Sequence, residues 1–340
     1  MISLQLRIQL RLAQEAVRSV PPRKILNYAK SRWAPRSEVL DVNNYGPRIF
    51  CCLVTRRCNL NCPWCVTPAL HDKRFDLTPE VLDQFLTHPA VHNCALVALS
   101  GGEPLLNRDL ATMVERIRSR GFLASMTSNG MTLEGRIEEL KRAGINMINV
   151  SVYNKNFARL ADTLPRINKT LQVRTNKIML RSVLEENPGE IEDAIRMSAE
   201  SGCLGTVLFL CLPHDDGLEN VVYDDHAAFT DFKERITAKY PKYSISWPEP
   251  VKRHLTAKDK ICQFPWSVVI ADSHGNLGPC CNYYPNPVKN WGNLLKDRSA
   301  DVLNAPYLKE IRRGLLSPDP EPPNVCKGCY ALSDPWYATQ

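Results

Sequence analysis

The sequence predicts an α/β protein: a partial (β/α)6 TIM-like barrel on a parallel sheet, followed by a small cysteine-rich unit of β-hairpin plus helix. Three observations carry this reading. Between residues 49 and 212, apolar strand-like runs alternate six times with helical patterns. Glycine follows several helical runs at the C-terminal position, as in Arg120-Gly121, Ala143-Gly144 and Ser201-Gly202. Past residue 240 the alternation stops, and cysteines appear at metal-ligand spacing.

The strands read Ile49–Thr55, Leu96–Ser100, Leu123–Thr127, Met147–Val152, Val173–Leu180 and Thr206–Leu212. The helical patterns between them are Pro79–Leu86, Leu110–Arg120, Leu133–Ala143, Asn156–Leu164 and Gly189–Ser201. Repeated strand–helix units join parallel strands by right-handed crossovers. Ligands in such folds gather at the C-terminal strand ends. Three segments follow: an amphipathic N-terminal extension over 1–47, the barrel over 48–240 and the cysteine-rich unit over 241–340. In the extension, Leu4, Leu6, Ile8, Leu10 and Leu12 alternate among Arg7 and Arg11, and Pro21-Pro22 is expected to end the segment. It has no apolar run of membrane-spanning length. The bland reading is a cap on the domain, and the sharper one is a basic surface touching a membrane or a partner.

With 44% hydrophobic residues the chain has enough apolar content for a substantial core, and its net charge of +7 is only mildly basic. No basic, aromatic-interleaved run suggests RNA, and an acidic electron donor is equally consistent with the charge. Thirteen cysteines without a secretory signal point to metal chemistry in a reducing cytoplasm.

The run Thr-Arg-Arg-Cys-Asn-Leu-Asn-Cys-Pro-Trp-Cys places Cys58, Cys62 and Cys65 directly after the first strand. Three thiolates in Cys-x3-Cys-x2-Cys are one ligand short of a closed zinc or iron–sulfur site. After the second strand comes Ser100-Gly101-Gly102-Glu103-Pro104, where glycines permit close backbone approach and Glu103 offers an anionic acceptor for an amine. Together, in this order and context, the two motifs resemble the radical S-adenosylmethionine (SAM) superfamily. The alternative is a zinc loop that borrows a distant ligand. The resemblance implies a 4Fe–4S cluster on Cys58, Cys62 and Cys65, with SAM chelating the open iron. It also implies that Gly101, Gly102 and Glu103 receive the methionine amino group. Ser128 and Asn129 after the third strand, and Ser151 at the end of the fourth, match the positions that hold SAM's ribose and carboxylate. Simple turn chemistry is the other reading of Ser-Asn-Gly. Tyr153 stands where many relatives show an acidic residue. Arg181 is a weaker candidate for SAM's carboxylate, against a solvated surface arginine.

Cys262, Cys280, Cys326 and Cys329 form a second set, with a hairpin expected to bring the first two together. Four thiolates with a terminal Cys-x2-Cys suit a closed zinc or 4Fe–4S site. The Cys-x17-Cys spacing, Gly275-x4-Cys280 within it and Trp291-Gly292-Asn293-Leu294 resemble the twitch form of the SPASM domain, which implies one auxiliary 4Fe–4S cluster. Cys281 is read as a spare packed thiol, and Cys51, Cys52 and Cys94 as core residues.

The resemblance implies reductive cleavage of SAM to a 5′-deoxyadenosyl radical, fed by a flavodoxin- or ferredoxin-type donor. The radical would abstract hydrogen from a small polar substrate (sugar, aminocyclitol or nucleoside), leading to dehydrogenation or epimerisation. Modification of a ribosomal peptide is the alternative within the class, and a non-catalytic iron–sulfur scaffold the alternative outside it. Cys211, at the end of the sixth strand, is a candidate hydrogen donor, against a buried apolar cysteine. His214, Asp215 and Asp216 follow on the loop as a candidate base or substrate contacts, against a polar turn.

Overall fold

The computed structural model describes residues 14–16, 18–33, 46–66, 73–212, 219–280, 283, 285 and 291–335. Strands β1 (Ile49–Leu53), β2 (Leu96–Ser100), β3 (Leu123–Ser128), β4 (Met147–Ser151), β5 (Val173–Met179) and β6 (Thr206–Leu210) lie in sequence order, each parallel to the next. A two-residue β7 (Ile245–Ser246) extends the sheet past β6. At the other edge β8 (Val268–Ala271) pairs in parallel with β1, and β9 (Leu277–Gly278) turns back antiparallel against β8. The sheet ends at β7 and β9 without closing, so the barrel is partial, as expected.

The helices are α1 (Pro22–Trp33), α2 (Pro79–Thr87), α3 (Leu110–Ser119), α4 (Ile137–Ala143), α5 (Asn154–Thr170), α6 (Arg181–Glu186), α7 (Gly189–Glu200), α8 (Ala227–Lys239), α9 (Phe264–Ser267) and α10 (Pro306–Leu316). Alternation along each strand sends one row to these helices and the other to the sheet's inner face. On β1, Phe50 and Cys52 are fully buried, and the Phe50 ring meets Phe85 of α2 edge-on at 5.9 Å. On β4, Ile148 and Val150 join the core that holds Leu160 and Leu164 of α5. Helix α2 starts where Thr78 caps the Val81 N–H and Pro79 takes the first turn. Helix α4 stops at Gly144, whose φ of +88° turns its N–H back onto the Leu140 and Lys141 carbonyls.

The departures from expectation have identifiable causes. The helical stretch before Pro21 ends there, as expected, but Pro22 also begins a new helix, because the first turn needs no N–H from it. Helix α5 runs through Pro165, held by the buried residues Leu160, Leu164 and Ile167. Helix α8 buries Phe229, Phe232 and Ile236 at helical spacing beyond the last expected strand. A short helix, α9, occupies the stretch after Cys262 before the hairpin strand begins. The sheet also takes in β8 of the cysteine-rich segment, which lies against β1. Among the described residues no helix is long and apolar enough to cross a membrane. Residues 1–13 of the expected amphipathic extension lie outside the described residues.

Helix α1 docks through Lys24, which is 1% exposed, donates to the Arg120 carbonyl at 3.1 Å and lies 2.8 Å from the centroid of the Phe122 ring. Burial holds its ammonium pKa down at about 7. In the unfolded chain a lysine titrates near 10.4. Between those values the unfolded lysine keeps a proton that the folded one has released, so stability rises with pH across this window. Urea titrations at pH 7 and pH 10 should show this rise, and Lys24→Met should flatten it.

Candidate active site and auxiliary cysteine cavity

The cysteine loop leaves β1 and is tied at once to the loop after β2. Val54 N–H donates to the Ser100 carbonyl at 2.9 Å, Gly102 N–H to Thr55 at 2.7 Å and Glu103 N–H to Arg57 at 2.7 Å. The parallel pairing of β1 and β2 thus continues into both motifs. A Cβ on Gly101 would collide with the Thr55 carbonyl, and one on Gly102 with the Arg57 carbonyl. The glycines are therefore required for the two loops to pack together, which spacing alone did not reveal.

Arg57, next to Cys58, makes a two-point ion pair with Asp76, at 3.0 Å through Nε and 2.5 Å through a terminal nitrogen. The same Asp76 accepts from the Thr55 hydroxyl at 2.5 Å. Lys155 donates to the Asn61 carbonyl at 2.9 Å, and Trp64 packs against Tyr153 with ring centroids 5.5 Å apart. The loop is thus clamped from α5 as well as from below. Tyr153, the departure noted in the sequence, is one side of that clamp. Burial pushes its phenol up to about 12.

Glu103 is 1% exposed and occupied by the protein itself. Oε1 accepts from Leu105 N–H at 3.1 Å and from the Ser128 hydroxyl at 2.8 Å, and Oε2 accepts from Asn129 N–H at 2.7 Å. Burial raises its carboxyl pKa, with the three hydrogen bonds opposing. Three of roughly four carboxylate lone-pair positions are filled, so this residue first organises the strand ends. Ser128 and Asn129 are drawn to Glu103 from β3, and Asn129 also reaches the cysteine loop, donating to Asn59 Oδ1 at 2.7 Å. Asn156 links the next strand end by donating to the carbonyls of Asn129 and Ser151 at 2.7 and 2.8 Å. Neither Asp76 nor Asn156 was legible as a site residue. Asp76 lies 19 positions from its partner Arg57, and Asn156 resembles an ordinary first-turn asparagine.

Other candidates separate. Arg181 is part-exposed and pairs its guanidinium with Glu185, one turn along α6, at 2.9 Å. Cys211 follows β6 on the face of Val207 and Phe209, 5% exposed, with burial pushing its thiol up to about 11. His214, Asp215 and Asp216 lie outside the described residues, as does Cys281. On the inner face, one register row carries Ser100, Thr127, Asn149 and Arg174. Arg174 donates to Asn149 Oδ1, and among the described residues no carboxylate pairs with it. Burial holds its guanidinium pKa down at about 10.

Cys262, Cys280, Cys326 and Cys329 line one cavity of about 620 Å³, counting its open mouth. Ile261 and Cys262 N–H groups both donate to the Leu332 carbonyl, which sets the first cysteine beside the last two. Leu212, next to Cys211, also borders the cavity, so this second site adjoins the end of β6. Among the described residues no three His, Cys, Asp or Glu side chains converge on a single metal ion. Cys326 is held far above the usual thiol range by burial and then by its cysteine neighbours. In the first loop, burial raises Cys58, and it pushes Cys62 to about 11 with Cys65 and Cys58 adding to the shift. Cys58, Cys62 and Cys326 thus resist ionisation until a cation lies beside them, and clustered thiols of this kind are a donor set suited to iron–sulfur clusters.

Comparison with known proteins agrees with this arrangement. The profile of the radical SAM superfamily matches residues 52–217, and that of an iron–sulfur cluster-binding domain, SPASM, matches 262–330. A probable GTP 3′,8-cyclase of Methanothermobacter thermautotrophicus is 30% identical over 286 residues, covering 76% of this chain and 92% of the relative. This chain belongs to the radical SAM superfamily. It is an enzyme of that family with a C-terminal SPASM-type domain, and its cofactors are a SAM-binding 4Fe–4S cluster, SAM and an auxiliary iron–sulfur cluster. The GTP 3′,8-cyclase of Aquifex aeolicus is 34% identical, but the match spans only 43% of it. Among solved structures, Streptococcus suis SuiB bound to SAM superposes with a TM-score of 0.63 at 15% identity, over 82% of this chain and 73% of SuiB. The protein anSMEcpe with bound AdoMet gives 0.58 at 13%, over 84% and 88%. These two likenesses describe the fold.

The paired loops give a direct test. Gly102→Ala should destabilise the protein by about 1–3 kcal/mol in urea unfolding, the usual cost of overpacking. Gly135→Ala, with open space around its Cβ position, should change stability by less than about 0.5 kcal/mol.

Proposed function

We propose that Cys58, Cys62 and Cys65 hold the SAM-binding cluster, and that Cys262, Cys280, Cys326 and Cys329 hold the auxiliary one. The stitching of the cysteine loop to Gly101–Glu103 carries this reading, because it sets three thiols beside a polar rim at the C-terminal strand ends. When bound, the reduced cluster and SAM supply a 5′-deoxyadenosyl radical. The chain's own work is to bind, orient and exclude water. Ser128, Asn129 and Ser151 would border SAM. Glu103 fixes two of them, and with Gly101 and Gly102 it would receive the amino group of SAM. Trp64 and Tyr153 pack against each other and brace the loop from its α5 side. Arg181 has no part in this reading, being paired with Glu185.

At the second site a single zinc ion would hold four sulfurs about 3.8 Å apart, the edge of a tetrahedron with 2.3 Å bonds. Thiols spread around a cavity suit a larger cluster. Four thiolates leave that cluster closed, so its role is electron transfer and not substrate binding. Its place beside Leu212 puts it within the reach of chemistry at the end of β6.

The substrate we favour is a small anionic molecule of the nucleotide class. Arg174 supports this, as a part-buried cation on the inner sheet face whose described hydrogen bond is to a neutral amide. The relatives named as GTP cyclases support it too. Free sugars and aminocyclitols, expected from the sequence, have no counterpart among them. Cys211 keeps its proton through the physiological range, as a hydrogen-atom donor must.

Anaerobic reconstitution should load about eight irons per chain, and dithionite with SAM should release 5′-deoxyadenosine. Cys326→Ala should retain about four irons and still release it, whereas Cys58→Ala should release none. A fully loaded wild-type protein that leaves SAM intact would contradict the assignment.

A further inference from the structure

Two N–H groups converge on the sulfur of Cys58. The Leu60 backbone N–H lies 3.4 Å from Sγ, and the Asn129 carboxamide nitrogen lies 3.9 Å from it. The second contact joins β3 to the cysteine loop, and nothing local in the loop demands it. Asn129 has little freedom. Its backbone N–H is held by Glu103 Oε2, its carbonyl accepts from Asn156, its Oδ1 accepts from Met131 N–H at 3.0 Å, and its Nδ2 also donates to Asn59. The residue is 7% exposed. A side chain fixed at every polar atom and directed at one thiol is placed to act on that thiol.

We propose that Asn129 is a positioning residue that sets the reduction potential of the cluster through an N–H···S bond to Cys58, with Glu103 acting through it. The inference rests on the assignment of Cys58 as a cluster ligand. Hydrogen bonds to ligand sulfurs stabilise negative charge there, so they favour the reduced cluster and raise its potential. Asn129, read from the sequence as a SAM contact or a turn residue, then has a second task. It couples the Gly-Gly-Glu-Pro loop to the electron-accepting centre.

The test is an EPR-monitored redox titration of the reconstituted enzyme without SAM. The relevant signal is identified by its change when SAM is added to a separate sample. Asn129→Ala should move the midpoint to a more negative potential. At the wild-type midpoint the ratio of reduced to oxidised cluster should fall roughly three- to tenfold, tenfold being about 59 mV for a one-electron couple. Asn129→Gln, which keeps the donor, should recover part of the shift. If Asn129→Ala keeps its iron and the wild-type midpoint, the inference fails while the cluster assignment stands. If the wild-type protein has no SAM-responsive signal, the cluster assignment itself fails. Should Asn129→Ala not fold, Glu103→Gln serves instead. It weakens the bracket that holds Asn129 and should shift the same midpoint in the same direction, an unchanged midpoint again overturning the inference.

Discussion

The site depends on a close backbone approach. Gly102 and Glu103 donate their N–H groups to the carbonyls of Thr55 and Arg57, at a separation no side chain at 101 or 102 would allow. Each bond contributes on the order of 1 kcal/mol. Their structural effect is larger than that figure suggests, because they make one rigid ledge of two loops that are nearly fifty residues apart in sequence. The Arg57–Asp76 pair secures the ledge at one end, and the Glu103 bracket on Ser128 and Asn129 carries it to the third strand. Three cysteines on a free loop would be a weak chelator. The ledge restrains where the loop can move, which is what the proposed cluster assignment requires of it.

The auxiliary side is held by different means. Lys260, 2% exposed, donates to the carbonyls of Gly314, Ser317 and Asp319, closing the C-terminal end of α10. Arg312, 1% exposed, reaches from that helix to the carbonyls of Pro265 and Leu303. These two cations tie the segment bearing Cys262 to the helix before Cys326. Strand β8 then joins the assembly to β1, the strand that launches the first cysteine loop. The two cysteine sets are therefore connected through paired strands.

Much of this was legible in the sequence, for stated reasons. Strand and helix alternation over 49–212 follows from burial on two periods, and all six expected strands form within a few residues of their expected bounds. The cysteine spacings needed no tertiary information. What escaped notice depends on long-range geometry. Asp76 and Asn156 become site residues only when the chain folds them against Arg57 and Asn129. Glu103 was legible as an acceptor, but its three internal donors were not. Pro21-Pro22 was legible as a terminator but not as the start of the next helix, since proline stops a helix from within and starts one from its edge. Arg181 lies close to a strand end, as a cofactor contact would, yet the register of α6 pairs it with Glu185.

The central claim is that the Cys58–Cys62–Cys65 loop leaves one iron open for SAM. Electron–nuclear double resonance on the reduced enzyme, with SAM labelled with ¹⁵N at its amino group, tests this most directly. The account predicts a hyperfine coupling from that nitrogen to the cluster, present in the wild type and lost in Cys62→Ala. A reduced, SAM-saturated enzyme without such coupling would contradict it.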